Sequence, residues 1–111
     1  MKALSVKNPW ADMIAQGLKT IEVRSRRTHH RGPLLICTSK KPEGGNAGCA
    51  VAVVELVDYR PLVPEDARRA GGFYAPGMWA WVLDNVKPIK PFSVCGKLGI
   101  FEVALISSPS S

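Results

Sequence analysis

The chain has 111 residues, of which 46% are hydrophobic and 22% are charged, and its formal net charge is +6 at neutral pH. This length and composition are typical of one globular domain. No apolar run approaches the roughly 20 residues that a transmembrane helix needs, and the first residues contain no secretory h-region. We therefore expect one domain over residues 1–106, a flexible tail over 107–111, and a cytoplasmic protein without a membrane partner.

The positive charge is concentrated in the first part of the chain. Residues 1–45 carry nine Lys or Arg against three acidic residues, whereas residues 46–111 carry six of each sign. A segregated basic surface attracts polyanions such as nucleic acids. The alternative is a solvated surface that serves only solubility, and the segregation favours the polyanion.

The predicted elements begin with a short strand over 4–6 and a helix behind it. Asn8 is a good N-cap, and Pro9 suits the first helical position. Apolar residues then recur at helical spacing from Trp10 onward, and Gly17 is a natural stop. The sequence therefore predicts a short helix that ends near Gly17.

A strand follows from Thr20 to Arg24. Side chains alternate across a strand, so Ile21 and Val23 face the core while Glu22 and Arg24 face the polar side with Thr20. Folding alone does not require so many charges at this point. We therefore interpret the polar side of this strand as the candidate site.

Lys19, Glu22 and Arg24 suit recognition of a nucleotide. An arginine can fork onto a phosphate or a base edge, and a lysine can hold a phosphate as a point charge. If the protein is an enzyme, Lys19 is the candidate base or nucleophile, and Glu22 the group that relays a proton. The alternative is a surface ion pair of little energetic value.

A basic connection follows this strand and extends the predicted binding surface. It combines hydroxyls, histidines and arginines, which suits contact with a phosphate backbone. The adjacent histidines are His29 and His30. For at least one of them, a place in an ordinary solvated loop is the simpler interpretation. The residues predicted to contact nucleic acid from this region onward are Ser25, Arg26, Arg27, His30, Arg31 and Lys40.

The remainder of the chain predicts a mainly β protein. Apolar segments indicate strands over 34–38, 50–59, 78–86 and 96–105, and a short helix over 64–70. Two prolines after residue 86 indicate an irregular or edge segment. The expected fold is α+β, mainly β: a small bent barrel of five to six strands with two or so short helices.

Trp10, beside the basic groups, is the tryptophan expected to stack a base, whereas core packing is favoured for Trp79 and Trp81. The segment 73–78 is a lid over a ligand, a loop that contacts a base, or a packed connection. Because the three cysteines lie in or beside apolar segments without metal-ligand spacing, we expect buried thiols in a reducing compartment. No metal or other cofactor is expected.

The motif Gly17-x-Lys19-x-x-Glu22-x-Arg24 resembles the hallmark of the ASCH family, within the PUA-like superfamily. The Pro-Trp-Ala opening of the helix and the closing segment 96–103 are also similar to that family. Segments 28–32 and 40–42 look most like the ASCH domain of a transcriptional coactivator subunit. The resemblance covers nearly the whole chain.

The resemblance implies a PUA-like β-barrel whose cleft beside the first helix binds RNA or another nucleic acid. Some members are implied to deacetylate N4-acetylcytidine with a lysine, a threonine and a later glutamate. Lys19 matches that lysine, but Glu22 stands at the position of the threonine. The later carboxylate stays open among Glu55, Glu65 and Glu102.

Other members are implied to cleave RNA with a lysine, a serine and a tyrosine. Lys19 again matches, Ser93 is a weak candidate for the serine, and the tyrosine is unassigned. The expected function is therefore RNA binding in a basic cleft that admits a nucleobase or nucleoside. The alternatives are a small hydrolase of a modified nucleoside, an RNA-cleaving enzyme, and a protein-interaction domain that uses the motif for stability.

Overall fold

One sheet of six strands forms the body of the protein in a computed structural model, which describes residues 1–104. The order of the strands across the sheet is β2-β5-β4-β3-β1-β6. The pair β1 and β3 is parallel, and the other neighbouring strands are antiparallel. The strands are β1 (Lys2–Val6), β2 (Ile21–Arg24), β3 (Gly32–Thr38), β4 (Cys49–Pro61), β5 (Trp79–Ser93) and β6 (Ile100–Glu102).

The sheet is a curled half-barrel, which confirms the predicted mainly β, PUA-like architecture. Strands β4 and β5 are long, and the register between them shifts at three places. Such irregularities increase the local twist and bend of a sheet. The edge strands of the sheet are β2 and β6, and Arg24 of β2 contacts the Ser5 carbonyl near the end of β1.

A single α-helix, α1 (Trp10–Ala15), is found among residues 1–104. Pro9 occupies the N-cap position of α1, one residue later than predicted, and forms no side-chain cap. The Asn8 side-chain carbonyl oxygen, one residue before the cap, accepts a hydrogen bond from the backbone N–H of Asp12 at 3.0 Å, which pairs one of the free N–H groups of the first turn. The helix buries Ala11 and Ile14 against the sheet. It ends before Gly17, whose φ of +78° suits glycine.

The main core lies between α1 and one face of the sheet. Leu4, Ile36 and Leu56 are fully buried there, and Trp81 is 4% exposed. Trp79 is half-buried against the same cluster, as core packing of these two tryptophans predicts. Burying this apolar area supplies the main stabilisation of a domain of this size.

The predicted helix over 64–70 is wrong in extent. The chain forms only a 3-10 turn, Pro64–Asp66, followed by turns. The Asp66 carboxylate accepts bonds from the backbone N–H of Val63 at 3.0 Å and from Arg60 at 2.7 Å. These contacts hold the segment as a tight bend, and a helix this short has little stability of its own.

The two prolines after residue 86 do not end the strand. Strand β5 continues through Pro88 and Pro91 to Ser93. Its pairing with β2 covers only Trp79 to Val82, so the later part of β5 is an edge. A proline is tolerated there because, among residues 1–104, no further strand on that side needs its missing N–H.

The closing strand is shorter than predicted, since β6 spans Ile100–Glu102. The predicted end of that strand at residue 105 and the predicted tail over 107–111 lie outside the described residues. Within residues 1–104, none of the helical segments has the length and apolar character to cross a membrane.

Candidate functional site

A cleft of about 510 Å³ opens between the start of α1, the strand β2 and the end of β1. Two loops, over 70–78 and 96–99, complete its walls. Four of the lining side chains are cationic and one is a carboxylate. The lining residues are Ser5, Val6, Lys7, Trp10, Lys19, Glu22, Val23, Arg24, Ser25, Ser39, Ala70, Phe73, Met78, Lys97, Leu98 and Gly99.

Lys19 lies at one end of the cleft floor, and its side chain is only 3% exposed. Its ammonium donates a hydrogen bond to the backbone carbonyl of Ala70 at 2.7 Å and lies 3.5 Å from Glu22 Oε1. Burial lowers the pKa of Lys19 from its ordinary value, while the neighbouring Glu22 carboxylate opposes that shift. Lys19 is therefore an amine with a depressed pKa at the wall of an accessible cleft.

Glu22 lies between the two cations of the motif. Glu22 Oε2 accepts a hydrogen bond from Arg24 Nε at 2.8 Å, while Arg24 Nη2 lies 2.8 Å from the same oxygen and donates to the Ser5 carbonyl, also at 2.8 Å. The pairing of β1 with β6 ends at Leu4, so Ser5 lies just beyond it. Arg24 therefore ties the edge strand β2 to β1 across the curl of the sheet.

The sequence predicts these charges on the polar side of the strand, and the structure shows that this side is covered. Glu22 is 6% exposed, whereas Arg24 is partly accessible at the cleft wall. On the opposite side, Ile21 is fully buried in a small apolar cluster with Ala70 and Ala80. The motif thus forms a buried ion network rather than a surface ion pair.

Apolar side chains surround the mouth of the cleft. Trp10, Phe73 and Leu98 are 36%, 42% and 99% exposed. Gly71 lies directly against the indole, since a Cβ there would be 2.9 Å from Trp10 Cδ1. The segment 73–78, predicted as a lid, a base-contacting loop or a packed connection, contributes Phe73 and Met78 to the cleft wall.

The loop after β2 contacts the two tryptophans of β5, although most of its side chains are exposed. Trp81 Nε1 donates to the Arg26 carbonyl at 2.8 Å, and the Arg27 guanidinium lies 5.6 Å from the centre of the Trp79 ring. Thr28 is buried. The side chains of Arg26 and Arg27 are exposed and do not line the cleft.

His30 and Arg31 are also engaged within the fold. His30 Nε2 contacts the Pro33 carbonyl oxygen at 2.9 Å, and Arg31 lies over the Tyr59 ring at 4.8 Å. Arg31 also donates to the backbone carbonyls of Thr28 and His30. Their predicted contact with phosphates stays a prediction, and neither residue lines the cleft.

Five of the predicted site residues converge in the cleft, and five do not. The converging residues are Trp10, Lys19, Glu22, Arg24 and Ser25. Lys40 lines a separate depression with Ser93 and Cys95, so the weak candidate serine for RNA cleavage is not a lining residue of the Lys19 cleft. The other cleft serines are Ser5 and Ser39.

The later carboxylates offered by the resemblance do not line the cleft. Glu55 lines another depression, Glu102 pairs with Lys2 and the N-terminal amine, and Glu65 lies in the 3-10 turn. Among residues 1–104, Glu22 is the one carboxylate in the lining. The threonine–glutamate arrangement of the deacetylases is therefore not reproduced here.

Sequence reasoning missed Lys7, Lys97, Ser5 and Ser39 as cleft residues. Each lies at the end of a strand or in a loop, and no local pattern distinguishes it from other polar residues. The parallel pairing of β1 with β3 brings Val6 beside Thr38, and the Ser39 N–H then bonds the Val6 carbonyl at 3.0 Å. Only this tertiary pairing reveals the group.

The cysteines are free but not equally buried. Cys37 is buried, and burial raises the pKa of its thiol to about 11, whereas Cys95 is exposed. The expectation that all three are buried is therefore wrong for Cys95, which lies in the loop after β5. In the described part of the chain, no cluster of three His, Cys, Asp or Glu has the arrangement of a metal site.

Comparisons with known proteins agree with the fold and the motif. Activating signal cointegrator 1 from Homo sapiens is 52% identical over 40 residues, which cover 35% of this chain and about 7% of that protein. The ASCH protein from Zymomonas mobilis superposes with a TM-score of 0.63 at 18% identity, over 84% of this chain and 73% of that one. A tyrosine-to-phenylalanine variant of that protein gives the same TM-score at 16% identity, over 84% and 75%.

The family model of the ASCH domain matches residues 4–93. This range includes the helix α1, the complete Gly-Lys-Glu-Arg motif and five of the six strands. On this match, the chain belongs to the ASCH domain family.

Proposed function

We propose that the protein binds RNA, and that the cleft beside α1 admits one unstacked nucleobase of a single strand. The observation that carries the proposal is the convergence of cations and exposed aromatic side chains on one cleft. Membership of the ASCH domain family, which is associated with RNA binding, is consistent with it.

The charge of the cleft supports an anionic ligand. Four cations line it, whereas its one carboxylate, Glu22, is already paired with Lys19 and Arg24. The paired carboxylate does little to offset the remaining positive charge. A site of this sign attracts the phosphate backbone, and the attraction weakens with salt because bound counterions are released.

The aromatic rim supports a single-stranded ligand. Trp10 and Phe73 are both more than one-third exposed beside the ion network. Base-on-aromatic stacking contributes about 1–3 kcal/mol per base and requires a base outside a duplex. RNA is commonly recognised through such unstacked bases, which is why we propose RNA rather than DNA.

The test is fluorescence anisotropy of a labelled single-stranded RNA with wild-type protein and two variants. Trp10→Ala removes the proposed stacking residue, and Phe92→Ala removes an aromatic residue of similar exposure, 37%, outside the cleft. We expect Trp10→Ala to weaken binding by about 1–3 kcal/mol and Phe92→Ala to leave it unchanged. Equal losses in both variants, or an affinity that does not fall with salt, would contradict the proposal.

A second candidate function is hydrolysis of a modified nucleoside such as N4-acetylcytidine, or cleavage of RNA. The specific observation in its favour is Lys19, an amine with a lowered pKa at the wall of an accessible cleft. Lowering the pKa of a lysine favours its neutral amine, which is the form that acts as a nucleophile or general base. Glu22 is within reach to relay its proton.

The enzyme hypothesis is tested by incubating the protein with N4-acetylcytidine and following cytidine release. Lys19→Arg retains the positive charge but not a titratable amine, so catalysis by Lys19 predicts that this variant loses turnover. Normal turnover by Lys19→Arg would reduce Lys19 to a binding cation. No turnover by the wild type would remove this candidate substrate and leave binding as the proposal.

We place this function in the cytoplasm. Three free thiols, one of them exposed at Cys95, suit a reducing compartment. The polyanion partner that we propose is also abundant there.

A further inference from the structure

One end of the cleft collects hydroxyl and ammonium groups that the motif does not contain. Ser5 and Lys7 come from the end of β1, Ser39 from the segment after β3, and Lys97 from the loop before β6. Three separate parts of the chain thus deliver hydrogen-bond donors to one place. We call these four residues the donor cluster.

The position of the donor cluster follows from contacts on either side. Arg24 donates to the Ser5 carbonyl at 2.8 Å, and Ser39 is bonded to the Val6 carbonyl at 3.0 Å. The donor cluster therefore begins where the ion network ends. Lys19, next to Ala70, lies at the other end of that network.

The loop that carries Lys97 approaches β1 very closely. A Cβ on Gly96 would lie 2.8 Å from Ser5 Oγ, so only glycine allows this approach without displacing the serine. Gly99, with φ of +66°, turns the chain back into β6. The loop is thereby held at a short distance from the Ser5 hydroxyl, with Lys97 at the cleft.

The donor cluster has no carboxylate of its own. The acidic member of the cleft, Glu22, is already paired with Lys19 and Arg24, and among residues 1–104 no ion pair is formed by Lys7 or Lys97. Two ammonium groups and two hydroxyl donors match the oxygens of a phosphate, which is stabilised by charge-assisted hydrogen bonds. An uncharged ribose hydroxyl would not use this charge.

We propose that the donor cluster is a phosphate subsite, so that the ligand of the cleft is a nucleotide and not a free nucleoside. The base lies toward Trp10 and Lys19, and its phosphate contacts Lys7 and Lys97. This inference rests on the proposed function, because it names the form in which the nucleobase enters the cleft. If the site is catalytic, the phosphate subsite favours a phosphorylated substrate.

The test compares cytidine, its 5′- and 3′-monophosphates and inorganic phosphate in calorimetric titrations at low salt. For the wild type we expect at least one monophosphate to bind about tenfold or more tightly than cytidine, and inorganic phosphate to compete with it. The double variant Lys7→Gln, Lys97→Gln should reduce this ratio to near one. The double variant Lys87→Gln, Lys90→Gln, which removes the same charge from exposed positions outside the cleft, should retain it.

Equal affinity for cytidine and both monophosphates would overturn the phosphate subsite, as would no binding of any of these probes at millimolar concentration. An equal fall in the ratio of monophosphate to cytidine affinity in both double variants would also overturn it. The net positive charge of the protein, rather than the donor cluster, would then explain the preference. Failure of RNA binding is measured separately by anisotropy. A protein that binds RNA but not its monophosphates thus refutes the subsite alone, and one that binds neither refutes both proposals.

Discussion

Replacing Glu22 by glutamine is the perturbation that probes the ion network most directly. Glu22 is the one carboxylate between Lys19, whose side chain is 3% exposed, and Arg24, whose side chain is 28% exposed. Glutamine has nearly the same size, so the change removes the charge with little change in packing. The buried ammonium of Lys19 would then lack its nearby opposite charge.

The expected cost follows from these burial values. Removing one partner of a buried ion pair costs about 3–5 kcal/mol, because the other charge is left uncompensated. Lys19 retains its 2.7 Å hydrogen bond to the Ala70 carbonyl, and Arg24 is partly solvated. We therefore expect a loss of unfolding free energy at the lower end of this range, about 3 kcal/mol. For a domain near 100 residues this corresponds to a fall in Tm of roughly 12–24 °C.

The matched control is Glu43→Gln. Glu43 pairs with Lys41 at 2.6 Å, but these side chains are 80% and 77% exposed, and such pairs contribute about 1 kcal/mol or less. Urea unfolding followed by tryptophan fluorescence measures both variants. We expect the unfolding free energy of Glu43→Gln to stay within about 1 kcal/mol of wild type. If Glu22→Gln also stays within that range, the buried network does not stabilise the fold and the prediction is wrong.

Two other substitutions test the walls and supports of the cleft. In Gly71→Ala the backbone has a φ of +82° and the new Cβ lies 2.9 Å from Trp10 Cδ1, whereas in Gly72→Ala the φ is +91° and the Cβ meets open space. We expect both variants to lose about 1–3 kcal/mol of unfolding free energy, measured by thermal unfolding. Only Gly71→Ala should shift the fluorescence emission of Trp10. Equal spectra would contradict the contact. The two hydrogen bonds from the Arg60 guanidinium lower the pKa of the Asp66 carboxyl to about 2. The stabilisation from this ion pair is therefore complete above roughly pH 4, the ordinary pKa of an unfolded aspartate, and is lost as the pH falls through 2. Acid titration of Asp66→Asn should lack this part of the pH dependence, and an unchanged acid transition would count against it.

The sequence predicts the centre of the site better than its walls. Lys19, Glu22 and Arg24 are adjacent in sequence and share one strand entry, so their proximity follows from local geometry. Trp10 follows from its place at the helix start. The burial of Lys19 and Glu22 does not follow from the sequence, because it depends on the loop over 70–78 packing against β2, with Ala70 in contact with Lys19.

The donor cluster was beyond sequence reasoning for a physical reason. Ser5, Lys7, Ser39 and Lys97 meet only because β1 pairs in parallel with β3 and the last loop folds back over β1. Local propensity contains no information about such pairing. The same limit applies to β5, where the sequence predicts an irregular or edge segment after residue 86 but not that the strand continues through Pro88 and Pro91.

The most direct test of the central claim is ultraviolet cross-linking of the protein to a single-stranded RNA, with the linked peptides identified by mass spectrometry. If the cleft binds the base, the cross-linked peptides contain Trp10 or Phe73, and the yield falls with salt. Cross-links confined to the loop over 26–31, with none at the cleft, would contradict the account.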